Sequence, residues 1–192
     1  MLSLKQRILK RLLDIFLSLI GIMLCIIPIF VLFIISTIVH KEFGFFVQKR
    51  VGKKGKLFLI FKIKSLKSGK TILPFGKFIR KNKLDELPQL LNVFLGSMSI
   101  VGPRPDIKGY ADVLDGANKI ILNVKPGLTS LATLKFANEE ELLAKQTDAK
   151  QFNDFVLWPE KVKLNTAYVN NYSFKNDIVI IIKTILTVLH LK

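Results

Sequence analysis

From Leu12 to Val39 the chain is almost wholly apolar, interrupted only by Asp14, Ser18, Gly21, Pro28, Ser36 and Thr37. A continuous helix of this stretch would reach roughly 40 Å at about 1.5 Å per residue, more than the roughly 30 Å of a hydrocarbon core. The segment therefore reads as membrane-inserting, with length to spare for a bend. Pro28 lies near its midpoint, removes a backbone donor and crowds the preceding turn, so a kink is expected there and two half-helices become available. Lys5, Arg7, Lys10 and Arg11 precede the run, while Lys41, Lys49, Arg50, Lys53, Lys54 and Lys56 follow it. Basic flanks mark cytoplasmic ends, and a re-entrant hairpin that enters and leaves by one leaflet satisfies both clusters. A tilted or kinked single-pass anchor is the alternative at this point. A secretory signal fits less well, because the run is too long and no small-residue cleavage site follows it.

Beyond the run the pattern changes. FFVQKRVGKKGKLFLIFKIKSL alternates apolar and basic residues around Gly52-Lys53-Lys54-Gly55. This predicts a β-hairpin with strands near Phe45–Lys49 and Leu57–Lys64, in which Lys62 and Lys64 point to one side. Gly69 to Pro74 is a turn-rich connection. The remainder predicts helices near 84–96, 106–115, 138–151 and 160–172, separated by Pro103, Pro105, Pro126-Gly127 and Pro159. In the first of these, Leu84, Leu87, Leu91 and Phe94 recur at helical spacing and predict a packed stripe, with Asp85, Gln89 and Asn92 on another face. Pro88 is tolerated only in a first turn, which sets the start near Leu87 and puts Asp85 and Glu86 at the amino end. Asp177 to Leu191 is apolar but too short to span comfortably. It predicts an interfacial or core helix, with a buried strand over Ile178–Ile182 as the fallback. The fold class is α+β and mostly helical, with a membrane-inserted segment at 1–40 and a domain at 41–192 carrying the small hairpin and interfacial helices.

Charge narrows the function. The 192 residues include 30 Lys and Arg against 14 Asp and Glu, a net charge of +16, together with a hydrophobic half of the composition and a positive mean hydropathy. Nucleic-acid binders are basic but polar, and the phenylalanines here sit in apolar periodic runs, so no nucleic-acid partner is expected. Anionic lipid and phosphate-bearing ligands fit both properties. Cys25, the one cysteine, lies inside the apolar run, which removes any intrachain disulfide or cysteine zinc site. His40 and His190 end apolar segments and are expected at the interface, with no catalytic role.

The chemistry concentrates in LDELPQLLNVFLGSMSIVGPRP, Leu84 to Pro105. Two acids at a helix start are often just caps for the dipole. Beside Arg80, Lys81, Lys83 and Arg104, however, Asp85 is expected to stay ionised and nucleophilic, and it suits a divalent cation. Phosphoryl transfer asks for an in-line nucleophile and positive charge on the equatorial oxygens. Asp85 supplies the first and arginine the second. Gly102-Pro103-Arg104-Pro105 reads as a rigid loop that fixes one guanidinium for a bidentate phosphate contact.

At these residues the sequence resembles the bacterial sugar transferase family, and within it the small monotopic phosphoglycosyl transferases. The likeness runs through KRLLD, the apolar run with Pro28, VQKRVGKKGKLFLIFKIKSL, GKFIRKNKLDELPQLLNVFLGSMSIVGPRP, KPGLTSLA and YVNNYSF. LDELPQL followed by GPRP is the specific part. The resemblance implies a ping-pong reaction with Mg²⁺. Asp85 would attack the sugar-linked phosphate of a UDP-sugar, release UMP, and pass the phospho-sugar to polyprenyl (undecaprenyl) phosphate. It would also contact the Mg²⁺. Glu86 would be its dyad partner, as general base or metal-orienting group. Lys62, Arg80 and Arg104 match basic residues around the substrate, and Pro28 matches a hairpin-breaking proline, which favours the re-entrant topology on the cytosolic face of the inner membrane. Membrane lipid is then a partner, and a homo-oligomer is left open. A non-catalytic membrane scaffold, with the acid pair as a structural cap, is the competing class.

The sequence also departs from that pattern. Ile27 replaces a frequent serine before the proline, so the kink rests on Pro28 alone. The Ser68–Pro74 connection is short and less acidic. PGLTSLATLKFANEE stands for the commoner PGITGLAQVNGR, and Gly109 occupies a frequently acidic position.

Overall fold

A computed structural model describes residues 2–68 and 71–188. His190, the end of the last apolar segment and Gly69 at the start of the turn-rich connection lie outside the described residues. The chain opens with helix α1 (Leu4–His40), long and apolar enough to cross a membrane. Ser3 closes its amino end with a capping box, accepting from the Gln6 amide while Gln6 accepts from the Ser3 amide. Pro28 sits inside this helix.

The packing of α1 inverts that of a water-soluble helix. Its buried side chains are polar: Lys10, Asp14, Ser18, Ser36 and His40. Leu24, Ile27 and Met23 are instead more than 70% exposed, at 74%, 72% and 71%. The buried polar groups are the ties to the body. Lys10 Nζ donates to Asp177 Oδ2 at 2.7 Å, Asp14 accepts from Ser99 Oγ at 2.9 Å and from the Ile100 amide at 2.8 Å, and Ser36 Oγ donates to the Lys64 carbonyl at 2.7 Å. Buried polar groups require such partners. The expected interfacial position of His40 is corrected: the ring is fully buried, with Nδ1 2.9 Å from the Ser36 carbonyl.

Strands β1 (Phe45–Val51) and β2 (Leu57–Ile63) pair antiparallel from Phe45↔Ile63 to Val51↔Leu57, around a short turn at Lys53–Gly55. The hairpin stands where the alternation predicts it. Helix α2 (Pro74–Lys81) follows, then a single 3-10 turn at Leu84–Glu86, then α3 (Gln89–Leu95). The helix expected near 84–96, with its start near Leu87 and the acidic pair at its amino end, is present as α3 preceded by that turn. Pro88 caps α3, and the acidic pair lies in its own turn ahead of it. The expected packed stripe is corrected in its second half: Leu84 and Leu87 are half-buried, but Leu91 and Phe94 are exposed, while Gln89, Leu90, Asn92 and Val93 are buried. Asn92 explains the reversal. Its side chain accepts from the Phe61 amide at 3.0 Å and donates to the Leu59 carbonyl at 2.7 Å, which locks α3 to β2 by polar contacts.

A parallel pair, β3 (Ser99–Val101) and β4 (Gly127–Thr129), was not legible in the sequence. The expected helix over 106–115 is replaced by irregular chain with one 3-10 turn at Ala111–Val113, as befits a segment between Pro105 and a left-handed Gly109 (φ 99°). Helices α4 (Leu131–Lys135) and α5 (Glu139–Ala144) precede α6 (Ala149–Phe152), so the helix expected over 138–151 divides in two. A π turn at Asn153–Leu157 carries α6 into α7 (Trp158–Asn170), and Pro159 is accommodated in the first turn of α7 instead of breaking it. Helix α8 (Phe174–Val188) resolves the Asp177 segment as helix, not strand. The core gathers Ile60, Val93, Met98, Val101 and Ile180 from β2, α3, the turn after α3, β3 and α8.

Candidate active site

One cleft of about 700 Å³ opens between the hairpin, the acidic turn, the GPRP loop, α5 and α7. All five residues singled out for chemistry, Lys62, Arg80, Asp85, Glu86 and Arg104, line it. Pro28, the sixth, is on the exposed middle of α1, away from the cleft.

Each is placed by a local reason. Lys83 adopts a left-handed conformation (φ 56°) and turns the chain sharply into Leu84–Glu86. The Asn92 bonds then hold α3 against β2, so Lys62 faces the acids. The GPRP loop is clamped by the parallel pair. Gly102 donates to the Thr129 carbonyl at 3.0 Å and Gly127 donates to the Pro103 carbonyl at 2.8 Å. A Cβ on Gly127 would sit 2.1 Å from the Gly102 nitrogen, so only glycine permits this approach.

The two acids differ sharply. Glu86 is gripped: Lys62 Nζ lies 2.9 Å and Arg104 Nη2 2.6 Å from its Oε1, and Arg104 Nη1 lies 3.4 Å from Oε2. Burial alone would raise its carboxyl, but Arg104 and Lys62 outweigh it and hold the group well below the usual carboxylate range. Asp85 is 6% exposed and accepts no hydrogen bond from any described residue, with Lys62 Nζ 4.0 Å away. Burial pushes its carboxyl up to about 6, against the pull of Lys62 and with a push from Glu86, while Arg80 and Arg104 also pull it down. Burial therefore outweighs the surrounding cations, which the sequence reading expects to keep the group ionised, and the Asp85 oxygens are uncommitted among the described residues. A dipole cap would accept backbone N–H groups; Asp85 accepts none.

Arg80 lines the cleft but is bound bidentately to Glu140 of α5, at 2.6 Å and 3.0 Å to Oε1. Several cleft residues were not legible beforehand. Asp106 follows Pro105 directly. Burial pushes its carboxyl up to about 7, against the pull of Lys161, Arg104 and Arg50. Arg50 on β1, Glu139 and Glu140 on α5, and Trp158, Lys161 and Asn165 on α7 complete the wall. The hairpin register signals Arg50, since it shares alternation parity with Gln48 and with Phe46, the partner of Lys62. The α5 and α7 residues arrive through tertiary packing and carry no local signal.

No group of three or more His, Cys, Asp or Glu residues assembles a metal cage among the described residues. Mg²⁺ commonly takes one or two carboxylates and completes its shell with phosphate oxygens and water. The uncommitted Asp85 fits that mode, and Glu86, saturated by two cations, does not.

Comparison with known proteins bears on this geometry. A family model described as bacterial sugar transferase matches residues 5–191. The chain is 33% identical to galactosyl transferase CpsE of Streptococcus agalactiae over 94% of its own length and 42% of that protein. It is 33% identical to the uncharacterized sugar transferase EpsL of Bacillus subtilis, over 95% of its own length and 88% of that protein. It is 32% identical to the undecaprenyl-phosphate galactose phosphotransferase of Salmonella typhimurium, over 74% of its own length and 32% of that protein. The chain therefore spans less than half of two of these relatives and most of the third.

Proposed function

The chain belongs to the bacterial sugar transferase family, and from that premise we propose that it moves a sugar 1-phosphate from a UDP-sugar to polyprenyl phosphate at the cytosolic face of the bacterial inner membrane. The observation that carries this reading is the uncommitted Asp85 carboxylate, ringed by Lys62, Arg80 and Arg104 in a cleft one turn of chain ahead of the outward apolar face of α3. A water-borne donor and a lipid-borne acceptor can both reach such a position. The name of the Salmonella relative supports an undecaprenyl phosphate acceptor.

In the first half-reaction an Asp85 oxygen attacks the sugar-linked phosphorus, the bond to the UMP oxygen breaks, and UMP departs with the electron pair. In the second, a phosphate oxygen of the polyprenyl phosphate attacks the same phosphorus and the acyl phosphate bond breaks, returning the Asp85 carboxylate. Glu86 holds Lys62 and Arg104 in place for the charge that develops on the equatorial oxygens. Mg²⁺, held by Asp85 and the diphosphate, would supply further neutralisation of that charge.

The same reading proposes a monotopic membrane attachment. Cys25 packs against the body core, and eight residues later Phe33 stacks on Phe45 at 4.8 Å. The free stretch between those contacts is about 12 Å at 1.5 Å per residue, far below the roughly 30 Å needed to cross. The exposed apolar faces of α1, α3 and α8 then lie in one leaflet. The function is tested by incubating the full chain in nanodiscs with a panel of UDP-sugars, polyprenyl phosphate and Mg²⁺. UMP release with one or more donors, abolished by Asp85→Asn, is expected. Full turnover by that variant would remove Asp85 as nucleophile.

A further inference from the structure

The cations of the cleft are mostly spoken for. Of its three arginines, Arg80 meets Glu140 and Arg104 meets Glu86, each at 2.6 Å. Lys62, Lys64 and Lys161 are paired with Glu86, Glu42 and Glu139, while Lys67 and Lys83 line the cleft with no ion pair among the described residues. Arg50 forms no ion pair among the described residues. A guanidinium offers five N–H donors, yet Arg50 makes a single hydrogen bond, Nη1 to the Pro105 carbonyl at 3.4 Å, and its Nε is buried without a partner. That distance is long for N–H···O. Burial and the neighbouring Arg104 both weigh against its charge, and Asp106 and Glu86 offset this only through space. The side chain projects from a paired strand, at Arg50↔Phe58 of the hairpin, so it is held rigidly at the wall.

Resting on the phosphoryl-transfer reading above, we propose that Arg50 is the primary anion seat of the resting cleft, taking a phosphate group through the donors that the protein leaves unused. The reasoning is competitive. A phosphate approaching Arg80 or Arg104 must first displace a glutamate, whereas at Arg50 it displaces nothing and neutralises a half-buried charge; Lys67 and Lys83 are also unpaired among the described residues but offer point charges without a planar pair of donors. The ligand chemistry is a phosphate ester oxygen pair, which either the donor diphosphate or the polyprenyl phosphate can supply.

The test uses the full chain in nanodiscs. UDP binding is measured by calorimetry for the wild type, Arg50→Gln and Arg50→Lys, with thermal unfolding of each recorded alongside. UMP release without acceptor and discharge by polyprenyl phosphate are then timed separately. We expect Arg50→Gln to weaken UDP binding or raise the acceptor KM tenfold or more, and Arg50→Lys to recover part of that loss at unchanged thermal stability. A change in the UDP arm assigns the seat to the donor, and a change only in the discharge arm assigns it to the acceptor. Unchanged UDP affinity and acceptor KM in Arg50→Gln would overturn the proposal, as would a wild type that binds neither phosphate ligand. Arg50-dependent UDP binding by a protein that transfers nothing would leave the seat standing and remove the transferase reading.

Discussion

Replacing Glu86 by glutamine removes the negative charge that binds Lys62 and Arg104 together while keeping the side chain's shape. The wild-type group accepts from Lys62 at 2.9 Å and from Arg104 at 2.6 Å. Hydrogen bonds to charged groups contribute about 1.5–3 kcal/mol each. Glutamine retains one carbonyl acceptor, and the Arg104 side chain is 36% exposed, so solvent screens part of the loss. We expect a net destabilisation of about 2 kcal/mol, or roughly 4–8 °C in Tm for a chain of this size. The pH dependence has a definite sign. Because the folded Glu86 carboxyl lies below its ordinary value of 4.5, its contribution is fully present above that value and is lost as pH falls toward the folded one. The gap between wild type and variant should therefore be constant near neutrality and close in acid. Asp85 responds too. Its carboxyl, at about 6 in the wild type, loses the push of Glu86, so the acid limb of kcat/KM should move to lower pH. Thermal unfolding in nanodiscs across pH, followed through Trp158, and kcat/KM for UMP release measure both. An unchanged Tm together with an acid limb still at about 6 would refute the reasoning that Glu86 organises the cleft.

Other expectations follow from the same geometry. In the wild type kcat/KM should fall as pH drops through about 6, because the proposed mechanism requires Asp85 to be ionised when it attacks, and Asp106→Asn should leave that limb in place. Gly127→Ala should unseat the GPRP loop, since its Cβ would meet the Gly102 nitrogen at 2.1 Å; a lower Tm and a loss of kcat/KM are expected, and wild-type values would contradict the clamp. Lys10→Met leaves Asp177 buried without its cation and should cost about 3–5 kcal/mol, with Lys10→Met/Asp177→Leu recovering part of it in urea or thermal unfolding. Glu140→Gln breaks a pair whose acid is 53% exposed, so its Tm should shift by no more than about 4 °C, the upper range for a surface ion pair worth under about 1 kcal/mol.

The hairpin, the long apolar helix and the acidic turn beside GPRP were all readable because each depends on local pattern: alternation, an unbroken apolar run, and a proline that fixes a boundary. What failed depended on the solvent assumed. Leu84, Leu87, Leu91 and Phe94 were read as a packed stripe on the rule that apolar side chains face the core, whereas here Leu91 and Phe94 face outward and Asn92 and Gln89 face in. The polar residues of α1 obey the same inverted rule, and their spacing, Lys10, Asp14, Ser18 and later Ser36 and His40 at steps of four, marks one face of the helix. His40 was misplaced for that reason. The parallel pair of β3 and β4 joins residues 28 positions apart in three-residue strands, too short for any periodicity to register. Within the cleft, Lys62, Arg80, Asp85, Glu86 and Arg104 came from motifs. Glu140, Lys161 and Trp158 came from packing of distant helices, which no window of sequence contains.

The account stands or falls on a covalent bond to Asp85. The full chain in nanodiscs, given Mg²⁺ and a UDP-sugar whose sugar-linked phosphate is labelled, with no polyprenyl phosphate present, should retain label on the protein in an amount matching the UMP released. Peptide mapping should place it on Asp85, and adding polyprenyl phosphate should discharge it. Turnover with no label retained on the protein, or label on any other residue, would contradict the account.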